Sequence, residues 1–455
     1  MKPSIPQGTR DFEAGTFRKR KYILDIIKEV FELYGFEPLE TPAMENLETL
    51  MGKYGDEGDK LIFKILNNGL DNPLKKDEIQ KSFNEILSGK NKKNITERAL
   101  RYDLTIPFAR YVAMNSGRIT MPFKRYQMQT VWRADRPQKG RYREFYQCDA
   151  DVAGSNSFIC DVEFALIYVE VFRKLKIDVT IKINNRKIIS ALAEICGIRN
   201  MDPITVAIDK IDKTGVEKVG EDLKANGLTD DQIFTIKNYL KISGSNTEKL
   251  KSVNELLGHT KNGKKGIEEL EFILDYIGEG DAKLNHAITI DFTLARGLNY
   301  YTGIIYEVKA KDVEMGSIGG GGRYDDLTGL FGLPGIPGIG ISFGVDRVYD
   351  VMEELKLFLP DIIKSTNALF LNMGEKESRF AFYRMQELRN SGVSCELFYE
   401  HTKLDKQFKY ATKKNIQFAI IIGSKEIDDQ TCIIKDLTTA EQHIIPLVKL
   451  AVWFK

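Results

Sequence analysis

The chain predicts two bodies in tandem. The first is an α+β domain built on a mixed, mostly antiparallel sheet and broken by a helical insertion; a smaller α/β domain follows. Three observations predict this. Period-two alternation near residues 123–133 and 143–151 reads as two long half-buried strands. Residues of about 186–285 turn helical and charged, out of pattern with their flanks. Beyond about residue 367, short apolar strands alternate with helices over about 90 residues, the pattern of a mixed or parallel sheet.

The bulk numbers suit such a plan. A chain of 455 residues has room for two or three domains, and 42% hydrophobic with 29% charged residues is an ordinary globular balance. The formal net charge of +1 means that any polyanion must be met by a local basic surface. Five dispersed cysteines without C-x-x-C spacing suit reduced thiols in a cytoplasm. The four histidines have no metal-ligand spacing, so no zinc site and no metal held by protein side chains is expected. The first residues carry no apolar leader and no run of 18 apolar residues occurs, so a soluble, cytoplasmic protein without membrane contact is expected.

In chain order, Ile23, Ile26, Ile27, Val30, Phe31 and Tyr34 recur at helical spacing over Phe17–Tyr34, with Gly35 at the C′ position. A strand over Phe36–Thr41 is stopped by Pro42. Residues 67–97 are polar and rich in Lys, Asn and Gly, a surface insertion. On the first long strand one parity carries Arg125, Gln127, Gln129 and Arg133, a polar working face. The second places Phe145, Gln147, Asp149 and Asp151 on one side. The loop between them is cationic: Arg133, Arg136, Lys139, Arg141 and Arg143 make five bases in eleven residues, a plausible phosphate-facing patch.

Asp161–Lys174 is read as a helix and His286–Phe292 as a strand. The run Gly319–Gly322 either lets backbone come close to a ligand or forms a flexible hairpin tip. It is not a P-loop, because no G-K-[ST] follows. Gly338–Arg347 reads as a buried strand that delivers an arginine at a helix start. Then come a strand at Ala368–Met373, a helix at Lys376–Ser391, strands at Ser394–Tyr399 and Phe418–Ile422, and a last strand at Cys432–Leu437. Lys406, Lys409 and Lys413 fall on one helix face, with Phe408 and Ala411–Thr412 turned away.

The segment Leu294-Ala295-Arg296-Gly297-Leu298-Asn299-Tyr300-Tyr301-Thr302-Gly303 puts a fixed cation, two glycines and paired phenols within ten residues. It resembles the amino-acid-specific signature of the histidyl-tRNA synthetases, class II enzymes of aminoacyl-tRNA synthesis. Residues 17–42 resemble class motif 1, which implies a homodimer; the Arg133–Arg143 hairpin resembles motif 2 and 338–347 motif 3. The opening Gln7-Gly8-Thr9-Arg10-Asp11 and the C-terminal domain, which looks like the family's anticodon-binding domain, extend the likeness over nearly the whole chain.

The resemblance implies a catalytic domain over 1–360, interrupted at 67–97 and 186–285, and an anticodon-binding domain over 365–455. It implies ligation of L-histidine to tRNA-His through a histidyl-adenylate, with ATP as substrate and Mg²⁺ on its phosphates. Arg133 and Arg296 are the implied catalytic residues. Asp103, Thr105, Gln147, Asp151, Tyr300 and Tyr301 would bind histidine with those arginines, and Arg347 would take the ATP γ-phosphate beside Arg133 and Arg296. Arg136, Lys139, Arg141, Lys406, Lys409 and Lys413 would face tRNA. Asp103 and Thr105 are expected to share a strand parity, as are Gln147 and Asp151.

Two departures stand out: Asn299 where the family usually has aspartate, and Asp151 one methylene shorter than the glutamate of some relatives. A non-catalytic histidine-sensing paralogue is the alternative; such chains typically lack the C-terminal domain that is present here. A synthetase for threonine would carry Cys/His zinc ligands, which this chain lacks.

Overall fold

The computed structural model describes residues 2–89, 91–198, 202–209, 211–280, 287–295, 300–363 and 366–454. It divides into two compact units, Met1–Asp11 with Arg20–Leu357, and Phe12–Lys19 with Phe358–Lys455.

The larger unit is organised by an eight-stranded sheet. Its strands are β1 (Glu37–Pro38), β5 (Phe123–Trp132), β6 (Glu144–Ala153), β7 (Val179–Asn185), β8 (Ile288–Ile290), β9 (Ile304–Ala310), β10 (Gly319–Tyr324) and β11 (Gly338–Gly344). Their order is β1-β5-β6-β11-β10-β9-β7-β8. Every interior pairing is antiparallel, while β1–β5 and β7–β8 at the edges are parallel. The mixed, mostly antiparallel sheet expected from the sequence is therefore present. A small antiparallel sheet joins β2 (Met44–Asn46), β4 (Arg98–Leu100) and β3 (Lys64–Ile65) beside it.

Helices cover one face of the large sheet because their apolar residues recur every three to four positions. The Ala14–Leu33 helix buries Ile23, Ile27, Val30 and Phe31. Phe31 lies 5.8 Å from both Tyr126 and Phe343, which ties helix to sheet centre. Gly35, at φ +76°, ends that helix as a C′ glycine should. The Ile159–Leu175 helix adds Phe164, Tyr168 and Phe172, with Tyr168 4.9 Å from Phe343.

Between β7 and β8 the described residues are helical, from Arg186–Ile195 through Lys261–Gly280. Two of these helices start on capping boxes, Thr229 with Gln232 and Ser245 with Glu248. They remain within the same compact unit as the sheet.

The smaller unit holds β12 (Ala368–Phe370), β13 (Cys395–Leu397), β14 (Phe418–Ile421), β15 (Thr431–Asp436) and β16 (Gln442–Pro446), ordered β13-β12-β14-β15-β16. Its sheet is buried on both faces. Ala368 and Phe370 pack with Met385 and Leu388 on one side, while Leu369 and Leu371 pack with Ala411 and Ile416 on the other.

Several expectations need correction. Cys432–Leu437 is not the last strand: β16 follows, missed because its exposed edge residues carry no clear alternation. Only Glu37–Pro38 of 36–41 pairs as a strand. The polar stretch 67–97 contains a helix, Lys76–Leu87, whose few apolar positions hid it. Asp103 and Thr105 share no strand parity: β4 ends at Leu100, and Thr105 opens the Thr105–Asn115 helix. The Gly319–Gly322 run is no hairpin tip but the interior strand β10. On the Leu404–Lys413 helix the buried residues are Gln407 and Ala411, while Thr412 is exposed. No helix among the described residues is long and apolar enough to cross a membrane.

Candidate active site

A cavity of about 560 Å³ opens over the middle of the large sheet, a size normal for small-ligand sites. Its wall is made by β6, β9, β10 and β11, the 133–143 loop and Tyr301. Glycine explains why there is room. A Cβ on Gly320 would meet the Tyr306 carbonyl oxygen at 3.3 Å, a single tight contact, on a residue that lines the cavity. A Cβ on Gly321 would lie 2.3 Å from the Gly340 carbonyl oxygen, so there glycine permits strand packing. Tyr168 Oη donates to the Gly320 carbonyl at 2.8 Å and holds this strand in place.

One end of the cavity is cationic. Arg133 stacks over Tyr102 at 4.3 Å and Phe145 at 5.2 Å, and its Nε donates to the Tyr102 carbonyl at 3.1 Å. Arg347, at the junction of β11 with the following helix, donates to the carbonyls of Gly140 and Ser317, each at 2.7 Å. Burial lowers the Arg347 pKa, and the nearby charges of Arg141 and Arg133 lower it further. Two guanidiniums of the 133–143 loop, Arg133 and Arg141, and that of the distant Arg347 therefore crowd one space, and carbonyl oxygens rather than carboxylates receive the bonds of Arg133 and Arg347. Such a cluster is prepared for an anion with several oxygens.

The other end rests on acids and phenols. Tyr301 lines the cavity, edge-on to Tyr300 at 5.0 Å. Its pKa is raised by burial first and then by Asp149, Asp151 and Asp103, so all three carboxylates surround it. Asp103 is buried. Its Oδ1 accepts from Tyr54 Oη at 2.9 Å and from the Ile106 N–H at 3.2 Å, and its Oδ2 accepts from Tyr300 Oη at 3.3 Å. It thus satisfies an orphan amide at the start of the Thr105–Asn115 helix while anchoring two phenols. Burial raises the Tyr300 pKa well above its ordinary value and Asp103 adds to the rise, with the nearby Thr105 hydroxyl opposing it.

Asp151 is buried, paired with Arg125 at 3.0 Å, and accepts from Tyr324 Oη at 2.5 Å. Gln147 lines the cavity: its Nε2 donates to Ser342 Oγ at 2.9 Å, and its Oε1 accepts from Arg133 Nη2 at 3.5 Å. Burial pushes the Asp149 carboxyl up to about 7, with Asp151 adding to the rise.

Of the residues expected from sequence, Arg133, Arg141, Gln147, Tyr301 and Arg347 line the cavity together. Asp103, Thr105, Asp151 and Tyr300 form the layer behind Tyr301 rather than the wall itself. Arg296 and Asn299 lie outside the described residues. Arg136 is exposed, and Lys139 is exposed and paired with Glu354 at 2.9 Å. Lys406, Lys409 and Lys413 are exposed on their helix in the smaller unit, where Lys409 and Lys413 border a shallow depression with Phe408.

Sequence reasoning placed Arg125 on a polar face without a role at the site, and singled out none of Tyr324, Ser342, Glu307 and Asp346. Arg125 could have been found, because pairing the two long strands sets it opposite Asp151. Asp346 accepts from both Arg10 and Arg20 and from the Tyr146 N–H at 3.2 Å, a knot that no local motif announces. Glu307 lines the cavity, accepts from Ser317 Oγ and raises the pKa of Arg347. A magnesium ion on a triphosphate needs only one or two protein carboxylates, so Glu307 fits it.

The family model described as Histidyl-tRNA synthetase matches residues 87–348, and one described as Anticodon binding domain matches 369–455. A curated Histidine--tRNA ligase of Bacteroides fragilis (strain YCH46) is 49% identical over 99% of this chain and 98% of its own. One from Flavobacterium johnsoniae is 49% identical over 97% and 96%. A crystal structure of histidyl-tRNA synthetase from Nostoc sp. PCC 7120 superposes with TM-score 0.81 at 32% identity, covering 100% of this chain and 99% of that one. With its cation-lined cavity, acid-backed tyrosines and full-length likeness to these proteins, the chain belongs to the histidyl-tRNA synthetase family.

Proposed function

We propose that the chain ligates L-histidine to tRNA-His in two steps that share one cavity. In the first, a histidine carboxylate oxygen attacks the ATP α-phosphorus; the α–β bridging P–O bond breaks, giving histidyl-adenylate and pyrophosphate. In the second, a hydroxyl at the tRNA 3′ end attacks the adenylate carbonyl carbon, and AMP leaves. The observation that carries this reading is the meeting of Arg133, Arg141 and Arg347 in one cavity backed by buried carboxylates. Displacement at phosphorus is mostly positioning and charge stabilisation, which fixed guanidiniums supply.

In this reading Arg133 and Arg296 bracket the α-phosphate and Arg347 takes the γ-phosphate. Gln147 and Tyr301 contact histidine, with Asp103, Thr105, Tyr300 and Asp151 holding that end of the site in shape. Glu307 would help hold Mg²⁺, which when bound neutralises charge on the ATP phosphate oxygens. Arg136, Lys139 and Arg141 offer cations to the acceptor end of tRNA, and Lys406, Lys409 and Lys413 to its anticodon end. The likeness of residues 17–42 to motif 1 supports a homodimer, which sedimentation at twice the chain mass would bear out and at the chain mass would overturn. A cytoplasmic location suits a ligase of this kind with five scattered cysteines.

The full-length match to curated ligases, including the anticodon-binding domain, favours an enzyme over a histidine sensor. Arginine substitution gives the test. Arg133→Ala and Arg296→Ala should each slow histidine-dependent ATP–pyrophosphate exchange by about 10²–10³, the usual effect of losing one preorganised donor. A loss below tenfold in either variant would remove that arginine from the catalytic set.

A further inference from the structure

Asp149 has no part in the steps above, yet its surroundings join it to the cavity. It lies on β6 between Gln147 and Asp151 at the same strand parity, is 3% exposed, and stands in register with Ser342 of β11 and Gln127 of β5. Because Ser342 faces Asp149 directly in the β6–β11 register, its hydroxyl is the polar side-chain group across from that carboxyl, and it holds the Asp149 pKa down against burial. Ser342 also lines the cavity, and its oxygen receives the Gln147 Nε2–H at 2.9 Å. A hydroxyl has one proton, so with an amide donating to its oxygen that proton is directed to Asp149.

The far end of Gln147 imposes the same order. Its other amide atom meets Arg133 Nη2 at 3.5 Å, and a guanidinium only donates, so that atom is the carbonyl oxygen. The bonds thus run from Arg133 to Gln147 to Ser342, and Asp149, opposite Ser342 in the register, is the acceptor placed to take the remaining hydroxyl proton. Among the described residues Asp149 Oδ1 has no hydrogen-bond partner.

We propose that Asp149, acting through Ser342, is a positioning residue that locks the Gln147 amide with its carbonyl toward the cavity. The amino-acid end of the site then presents an acceptor to the N–H groups of its substrate. Turned over, the same amide would set N–H against the N–H groups of Arg133 and offer substrate a donor. The inference rests on the reading of Gln147 as a histidine contact.

Pyrophosphate-exchange kinetics on the full chain test it, with Asp149→Asn, Ser342→Ala, the double variant and Gln147→Leu. An asparagine can donate to Ser342 and so reverse the order of bonds; an alanine breaks the chain. Each single variant should raise the KM for histidine about tenfold, the loss of one hydrogen bond to a charged group, while kcat and the KM for ATP stay within about twofold. The double variant should be no worse than the more affected single, because both act through one chain. Equal rises in both KM values, or singles that multiply in the double, would reduce Asp149 to a structural residue and overturn the proposal. So would a normal histidine KM in Asp149→Asn and Ser342→Ala when Gln147→Leu is impaired. If Gln147→Leu itself binds histidine normally, the reading of Gln147 fails first and the inference goes with it.

Discussion

Arg125 and Arg133 sit on the same polar parity of one segment, yet they do different work. Arg125 is fully buried, bonded to the Leu104 carbonyl at 3.0 Å, paired with Asp151 and stacked over Phe108 at 4.3 Å. Arg133 reaches the cavity. Parity identified the polar face, but only the register of the paired strands shows which cation has a carboxylate of its own. The acids behave likewise. Burial pushes the Asp149 carboxyl up to about 7, so between about pH 4, the unfolded value, and pH 7 only the native state holds that proton. The contribution of this group to stability is therefore full below about pH 4 and declines as pH rises through that window. Asp149→Asn removes the titration, and its Tm should fall less than that of the parent between pH 5 and pH 8. An identical fall in both proteins would contradict the assignment.

Elements with strong periodicity were legible from sequence, namely the two long strands, the helix of 14–33 and the helix of 159–175. Their signals come from burial on one face, which a sequence records directly. The short elements were not. β16 sits on an exposed edge, the helix of 76–87 buries almost nothing, and the 101–105 segment is shaped by partners distant in sequence such as Tyr54 and Tyr300. The glycine run shows the same limit, since composition alone left two roles open until β9 and β11 were seen on either side of it. Its residues are not equivalent, and alanine substitution should separate them. Gly321→Ala forces a Cβ to within 2.3 Å of a backbone oxygen and should lower Tm by several degrees. Gly320→Ala, whose Cβ meets one backbone oxygen at 3.3 Å, should lower Tm less while raising a substrate KM, because the residue lines the cavity. Equal melting temperatures for the two variants would contradict the packing described for β10.

At the scale of the whole molecule, the catalytic reading places adenylate formation in the larger unit and a tRNA contact in the smaller. With a net charge of only +1, affinity for a polyanion must come from local faces. Replacing Lys406, Lys409 and Lys413 together by alanine should weaken tRNA-His binding and flatten its salt dependence, without slowing adenylate formation. Unchanged tRNA affinity would remove that helix face from the interface. The family was legible because its signature segments are contiguous, whereas the layer of Arg125, Asp149, Tyr324 and Ser342 behind the cavity is assembled from separate strands. The central claim is that one cavity joins a triphosphate-binding cation cluster to an acid-backed pocket for histidine. ATP–pyrophosphate exchange measured with each of the twenty amino acids tests it most directly. Exchange should be supported by histidine alone; exchange driven by another amino acid, or by none, would contradict it.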